Sequence, residues 1–116
     1  MDSFERLSLR RLQLLEEIGQ LGAMRMGTVS EQMLPGRRAD GTAYRRGPYL
    51  TYTFKRGGRT NGRHLRGEQE AQVYRSQIEV FRRYQQLSAE LVEVSQRLAD
   101  LEAAGEAGGS KKNSRR

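Results

Sequence analysis

The chain has 116 residues, of which 35% are hydrophobic and 30% are charged, and its formal net charge is +7. This length supports one domain with a small core, so we expect an elongated protein in which amphipathic helices supply most of the buried surface. The lack of cysteine excludes disulfides and thiolate metal sites, and the lack of a long apolar run argues against a membrane span or signal peptide, which favours a cytoplasmic protein.

Basic charge is concentrated in the middle and at the end of the chain. Residues 24–67 contain ten Lys and Arg against only Glu31 and Asp40, whereas residues 68–109 are net acidic. The final residues again carry four basic side chains. A run of charge is most often a solvated face, but charge segregated in this way also suits binding to a polyanion.

The first predicted element is an amphipathic helix. Asp2 is a suitable cap, with Glu5 three residues later, as in a capping box. Apolar residues then recur at steps of three and four, at Phe4, Leu7, Leu14, Ile18 and Leu21. Gly19 and Gly22 weaken the helix, so we expect it to end near them.

A short strand and a loop are predicted next. In residues 27–34, Val29, Glu31 and Met33 alternate with smaller or polar neighbours, and Pro35-Gly36 is expected to stop the strand. Residues 37–47 have no apolar period and are predicted to be a surface loop.

The segment from 45 to 66 has the composition of a β-hairpin. Residues 49–55 are mostly β-branched or aromatic, Gly57-Gly58 suits a two-residue turn, and residues 59–65 continue as a second strand. With this turn, Phe54 faces Asn61, Tyr52 faces Arg63 and Leu50 faces Leu65. The predicted apolar face consists of Leu50, Tyr52, Phe54 and Leu65. The predicted polar face consists of Thr51, Thr53, Lys55, Thr60 and His64.

A long helix is predicted after Gly67. A heptad seam runs along it through Val73, Val80, Tyr84, Leu87, Leu91, Val94, Leu98 and Leu101, with Gln77 as its one polar member. A second apolar line in its first half, through Tyr74, Ile78 and Phe81, predicts that residues from about 73 to 84 cover the sheet. The second half is expected to pair with the first helix in antiparallel register, with residue numbers that sum to 105, from Phe4 with Leu101 to Leu21 with Tyr84.

The predicted fold class is therefore α+β, with a long antiparallel two-helix stem flanking a small three-stranded antiparallel β-sheet. Residues 1–104 form the predicted domain, and residues 105–116 form a predicted flexible basic tail. Leu9, Leu12 and Leu15 lie off the seam of the first helix. They predict a homodimer or a protein partner on the stem.

The candidate nucleic-acid-binding residues come from the basic middle of the chain. Arginines next to the hairpin suit phosphate contacts, Tyr49 suits stacking, and the lone His64 lacks the partners of a catalytic or metal site. The full set is Arg37, Arg38, Arg45, Arg46, Tyr49, Lys55, Arg56, Arg59, Arg63, His64 and Arg66. No nucleophile, base and acid occur together, so the sequence predicts neither an enzyme nor a cofactor or metal site.

Two segments, 26–34 and 46–54 with its glycine turn, resemble a family of short bacterial reading frames classed as a domain of unknown function and often encoded beside transposases. Members of that family often carry cysteines before the Gly-Pro-Tyr. This chain has none, so a metal knuckle is not implied here. The hairpin followed by a helix is also similar in outline to the arm-binding domains of phage integrases, which set a three-stranded sheet in the major groove.

Two functions remain open from the sequence. One is a non-catalytic accessory protein that binds nucleic acid, with DNA favoured, through the basic hairpin, in association with a mobile element. The other is a protein-interaction adaptor whose helical stem docks on a partner while the basic residues keep it soluble.

Overall fold

The computed structural model describes residues 2–113 of the chain, and side chains for residues 2–105. Within that range the chain forms two helices and one three-stranded antiparallel sheet. In chain order these are α1 (Ser3–Gly19), β1 (Thr28–Arg37), β2 (Ala43–Arg56), β3 (Arg59–His64) and α2 (Glu68–Asn113). The predicted α+β class is confirmed.

The chain divides into two units, which are described separately. The helical unit consists of Met1–Leu21 and Arg83–Arg116, and the sheet unit consists of Gly22–Arg82. The single domain predicted for 1–104 stays a prediction.

In the helical unit, α1 begins at the predicted capping box. The backbone N of Glu5 donates to Asp2 Oδ1 at 2.8 Å, and the backbone N of Asp2 donates to Glu5 Oε1 at 3.2 Å. These two bonds satisfy donors that the first turn of a helix otherwise leaves unpaired. The sequence signal for the start of α1 is therefore confirmed.

Ion pairs fix the direction of the two helices in this unit. Arg10 contacts Glu90 at 2.7 Å, and Glu17 contacts Arg83 at 2.9 Å. Because the partner number falls as the number along α1 rises, the helices are antiparallel, as predicted.

The core of the helical unit is built from the predicted seam. Leu14, Leu87 and Val94 are buried, and Leu7, Ile18, Leu21, Leu91 and Leu98 pack against them. At the outermost predicted pair, Phe4 and Leu101 are 46% and 40% exposed. The predicted register, in which the numbers of paired residues sum to 105, stays a prediction.

In the sheet unit, β2 is the central strand and pairs with β1 and β3 on either side. Phe54 pairs with Asn61 and Tyr52 pairs with Arg63, as the two-residue turn predicts. Beyond the end of β3, the backbone N of Leu65 donates to Leu50 O at 2.8 Å. The predicted hairpin register is confirmed.

The predictions for β1 and the following loop are wrong in their bounds. β1 continues through Pro35 and Gly36 to Arg37, β2 begins at Ala43, and only 38–42 separate the two strands. Pro35 is tolerated because β1 is an edge strand, where a missing N–H does not interrupt a ladder on both sides. The register shifts between Gln32 and Leu34, so the pairing resumes after an irregularity.

One face of the sheet is covered by the first turns of α2. Leu50, Tyr52 and Leu65 are buried against Ala71, Tyr74 and Ile78, with Val29 and Phe54 packed at the margin. The ring of Tyr52 meets Tyr74 edge to face at 5.0 Å and stacks on Phe54 at 5.1 Å. Burying each such side chain contributes roughly 1.5–3 kcal/mol, so this cluster is the main stabilisation of the unit.

Val73 does not take part in covering the sheet, contrary to the prediction, because it is 54% exposed. The neighbouring line through Tyr74 and Ile78 faces the sheet instead. A heptad pattern does not distinguish which of two adjacent apolar lines a sheet selects.

The segment before β1 is held to α2 by Arg25, which the sequence analysis did not place among the candidate site residues. The backbone N of Arg25 donates to Gln77 O at 3.1 Å, and its Nε donates to Gln77 Oε1 at 2.9 Å. The Tyr52 hydroxyl donates to the backbone O of Met26. Gln77, the polar member of the predicted seam, therefore anchors this segment to α2.

The helix α2 continues to Asn113, into the segment for which the sequence predicts a flexible tail from residue 105 on. Residues 114–116 of that tail, and its side chains from 106 on, lie outside the described part of the chain.

Candidate nucleic-acid interface

The face of the sheet opposite α2 carries small polar side chains. Because paired residues share a face, Thr53 lies in a row with Thr28 and Gly62. Thr51 lies in a second row with Ser30 and His64. This surface, which we call the open face, comprises Thr28, Ser30, Gln32, Tyr49, Thr51, Thr53, Lys55, Thr60, Gly62 and His64.

The open face has suitable width and chemistry for a duplex groove. Three strands spaced about 4.8 Å apart set the outer two roughly 10 Å from each other. The major groove of B-DNA is about 12 Å wide and the minor groove about 6 Å. Hydroxyl and amide groups donate and accept hydrogen bonds at base edges, and no carboxylate is among the open-face residues.

Some basic residues of the sheet unit form ion pairs with acidic side chains, and others do not. On α2, Arg75 contacts Glu68 at 2.7 Å and Arg82 contacts Glu79 at 2.7 Å. On the strands and turns, seven predicted residues form no ion pair with any described acidic side chain. These are Arg37, Arg38, Arg45, Arg46, Lys55, Arg56 and Arg59. The charge available to a polyanion is therefore on the sheet rather than on the helix.

Four of these arginines belong to the part of the β1–β2 hairpin from 34 to 46, which we call the arm. The ring of Tyr44 lies so close to Gly36 that a Cβ there would approach it to 2.8 Å. The guanidinium of Arg38 lies 4.9 Å from the centre of the same ring. Arg37 Nη1 donates to Gly41 O at 3.0 Å. Cross-strand packing thus orders the arm.

The turn of the arm contains its one acidic residue. The backbone N of Thr42 donates to Asp40 Oδ1 at 2.9 Å, and hydrogen bonding from Thr42 lowers the pKa of Asp40 below its ordinary value. Asp40 therefore serves the turn, and no described ion pair links it to the arginines of the arm.

The second basic group lies at the other end of β2. Lys55 pairs with Thr60, and Arg56 pairs with Arg59 across the Gly57-Gly58 turn. Lys55 and Thr60 belong to the open face, whereas Arg56 and Arg59 share the face of Phe54, whose ring centre lies 5.7 Å from the Arg56 guanidinium. The two basic groups are thus at opposite ends of one strand, and the uncharged middle of the open face lies between them.

Arg63 and Arg66 differ from the other predicted residues. Both contact Glu70, at 4.0 Å and 3.7 Å, and Arg63 lies 5.9 Å from the ring centre of Tyr74. Arg63 pairs with Tyr52 and so lies on the helix-covered face. The hydrogen bond from the Arg66 backbone N, together with these two guanidinium groups, lowers the pKa of Glu70. These two arginines are partly neutralised within the molecule.

The two remaining predicted residues are on the open face. Tyr49 pairs with Gln32 and is 37% exposed, and His64 pairs with Thr51 and is exposed. The structure also brings Thr28, Ser30 and Gln32 to this face, which the sequence analysis missed. The signal for them was the alternation of β1, in which Val29 packs on the core.

A metal centre and a membrane-spanning helix are not found among the described residues. No group of three His, Cys, Asp or Glu among them is arranged to hold a metal ion. Neither helix, over the same residues, combines the length and apolarity needed to cross a bilayer.

Comparison with known proteins gives no match: no family model, curated protein or solved structure matches this chain. The resemblance to reading frames found beside transposases therefore stays a prediction.

Proposed function

We propose that this chain is a cytoplasmic, non-catalytic protein that binds duplex nucleic acid, with DNA preferred, through the open face of its sheet. The arginines of the arm, and Lys55 beside the Gly57-Gly58 turn, contact phosphates on either side of the groove. The hydroxyl and amide groups between them face the groove itself. Association with a mobile element rests on the sequence resemblance alone.

The observation that supports this proposal best is the distribution of unpaired charge. The arginines on α2 of the sheet unit have acidic partners, whereas those of the arm and the turn have none among the described residues. Unpaired cations at both ends of an uncovered polar face suit a polyanion that crosses that face.

A salt titration tests the proposal. We expect fluorescence anisotropy to show tighter binding of the wild type to a labelled duplex than to a labelled single strand, because the face fits a groove. Each neutralised phosphate releases counterions, so the affinity falls steeply with salt, by about 0.9 in log K per phosphate for each tenfold rise in salt.

Matched double variants locate the interface. Arg45→Gln with Arg46→Gln should reduce the salt slope by roughly 0.9 for each phosphate that is no longer neutralised. Arg75→Gln with Arg82→Gln removes the same charge from ion-paired positions and should leave the slope unchanged. The proposal fails if the wild type binds neither ligand below about 100 μM at low salt, or if both double variants change the slope equally.

An adaptor function is the second candidate, and exposed apolar side chains of the sheet unit favour it. Met24, Met26 and Val73 are 40%, 60% and 54% exposed. Methionine-rich surfaces adapt to varied partners. This function expects no salt-dependent binding to either nucleic acid.

A further inference from the structure

The two sides of the helical unit differ sharply in charge. On one side, the guanidinium of Arg10 donates twice to the carboxylate of Glu90, at 2.7 and 2.9 Å. Arg83 donates to Glu17 at 2.9 Å on the same side. These pairs lower the pKa of Glu90, chiefly through the hydrogen bond from Arg10. Charged groups bridge α1 and α2 here.

The opposite side is a groove of about 400 Å³ between the helices. Phe4, Ser8 and Leu12 line it from α1, and Ser95, Leu98 and Ala99 line it from α2. Leu12 is 61% exposed and Phe4 46% exposed. Large apolar side chains project from this surface into solvent. The small side chains of its serines and alanine leave space beside them.

The groove also carries one charge of each sign. Arg11 and Glu102 are the charged residues that line it, and both are exposed. Neither forms an ion pair with any other described residue. A surface with a large apolar group beside small ones, and a cation near an anion, is complementary to a rotated copy of itself.

We propose that this groove binds a second copy of the chain in a two-fold arrangement. Leu12 of each protomer packs over the serine and alanine positions of its partner, and Arg11 of each protomer lies beside Glu102 of the partner. The result is a four-helix arrangement with the ion-paired sides outward, a geometry in which four amphipathic helices share one core.

The available area suits a reversible dimer. α1 has 17 residues and is therefore about 25 Å long, and two packed helices are roughly 20 Å across. The projected area is about 500 Å² for each protomer, while stable interfaces bury about 800 Å² of accessible surface on each side. An interface of this size is smaller than the standard one, so we expect a dimer that dissociates reversibly.

The first test measures mass by sedimentation equilibrium at concentrations up to about 200 μM, where a micromolar dimer is well populated. The wild type should be dimeric there, and Leu12→Glu should shift it to monomer by placing a carboxylate in the groove. Gln13→Glu adds the same charge at the adjacent position, outside the residues that line the groove, and is the matched control. Circular dichroism verifies that both variants stay helical. A monomeric wild type overturns the proposal, as does equal weakening by both variants.

A charge exchange tests the symmetry without depending on Leu12. Arg11→Glu and Glu102→Arg should each weaken self-association, because each variant sets like charges against each other across the two-fold axis. Mixing the two variants should restore a dimer, because in the mixed species both pairs again join opposite charges. If the mixture associates no better than either variant alone, the two-fold arrangement is wrong.

Discussion

The guanidinium carbon of Arg25 lies 3.9 Å from the centre of the Tyr74 ring, within the packing between α2 and the sheet. It also lies 5.1 Å from the ring of Tyr52. Arg25 belongs to the basic middle of the sequence, yet these contacts and its bond to Gln77 give it a structural role. Basic residues in this segment therefore fall into two classes, those that pack inside the sheet unit and those that are exposed. Mutation can separate the two.

Replacing Arg25 with Ala should destabilise the sheet unit. The change removes a cation–π interaction of about 0.5–2 kcal/mol and a side-chain hydrogen bond of about 0.5–1.5 kcal/mol. We expect urea unfolding to show a decrease of roughly 1–3 kcal/mol in the free energy of unfolding. Arg46→Ala, at an exposed position, is the control and should change stability by less than about 0.5 kcal/mol. Equal decreases for the two variants would contradict the structural role.

Gly27 should not tolerate a side chain. Its φ is +119°, and a Cβ there would lie 2.4 Å from Thr53 O and 2.7 Å from Tyr52 Cε1. Gly41 also has a positive φ, +88°, but a Cβ there meets nothing within 4 Å. Gly41→Ala thus carries only backbone strain, about 1–3 kcal/mol. We expect Gly27→Ala to unfold at a lower temperature than Gly41→Ala. A similar midpoint for the two variants would contradict this and show that the backbone around Gly27 shifts easily.

The stability contribution of Glu70 should depend on pH. Its pKa in the folded protein is lowered from the ordinary 4.5, first by the bond from the Arg66 backbone and then by the charges of Arg66 and Arg63. A lowered folded pKa means that the contribution is complete above pH 4.5 and is lost as the pH falls through the folded value. The melting temperature of the wild type should exceed that of Glu70→Gln most at neutral pH, and the gap should close in acid.

Glu31→Gln is the control for this measurement, since Glu31 forms no ion pair with the described residues. A gap between wild type and Glu70→Gln that stays constant from about pH 7 to about pH 3 would contradict the assignment to the carboxylate.

The sequence predicted the β2–β3 hairpin well because its turn is short. Two glycines fix the register, and the alternation of Leu50 and Tyr52 fixes the buried face. The β1–β2 pairing was harder to predict, because Pro35 would interrupt a central strand but is compatible with an edge strand. Strand order is a tertiary property, so the local pattern did not reveal it.

The sequence predicted which basic residues belong to the candidate site, but not which of them form ion pairs within the molecule. Arg66 and Glu70 are four residues apart at the start of a helix, a spacing that does indicate an ion pair. Arg63 reaches the same carboxylate only through the fold. The distinction between neutralised and available arginines therefore depended on packing between β3 and α2, which the sequence does not display.

β2 belongs to both hairpins, so any change in its length affects both. One residue inserted near Thr51 would turn every later side chain of the strand to the other face, sending Tyr52 to solvent and Thr53 into the core. The arm turn at 38–42 lies outside the paired part of both strands, so a residue added there turns no strand side chain to the other face. We therefore expect the β1–β2 hairpin to accept a change of length at the arm turn more readily than within β2, and such a change leaves the spacing between the two basic groups of β2 unaltered.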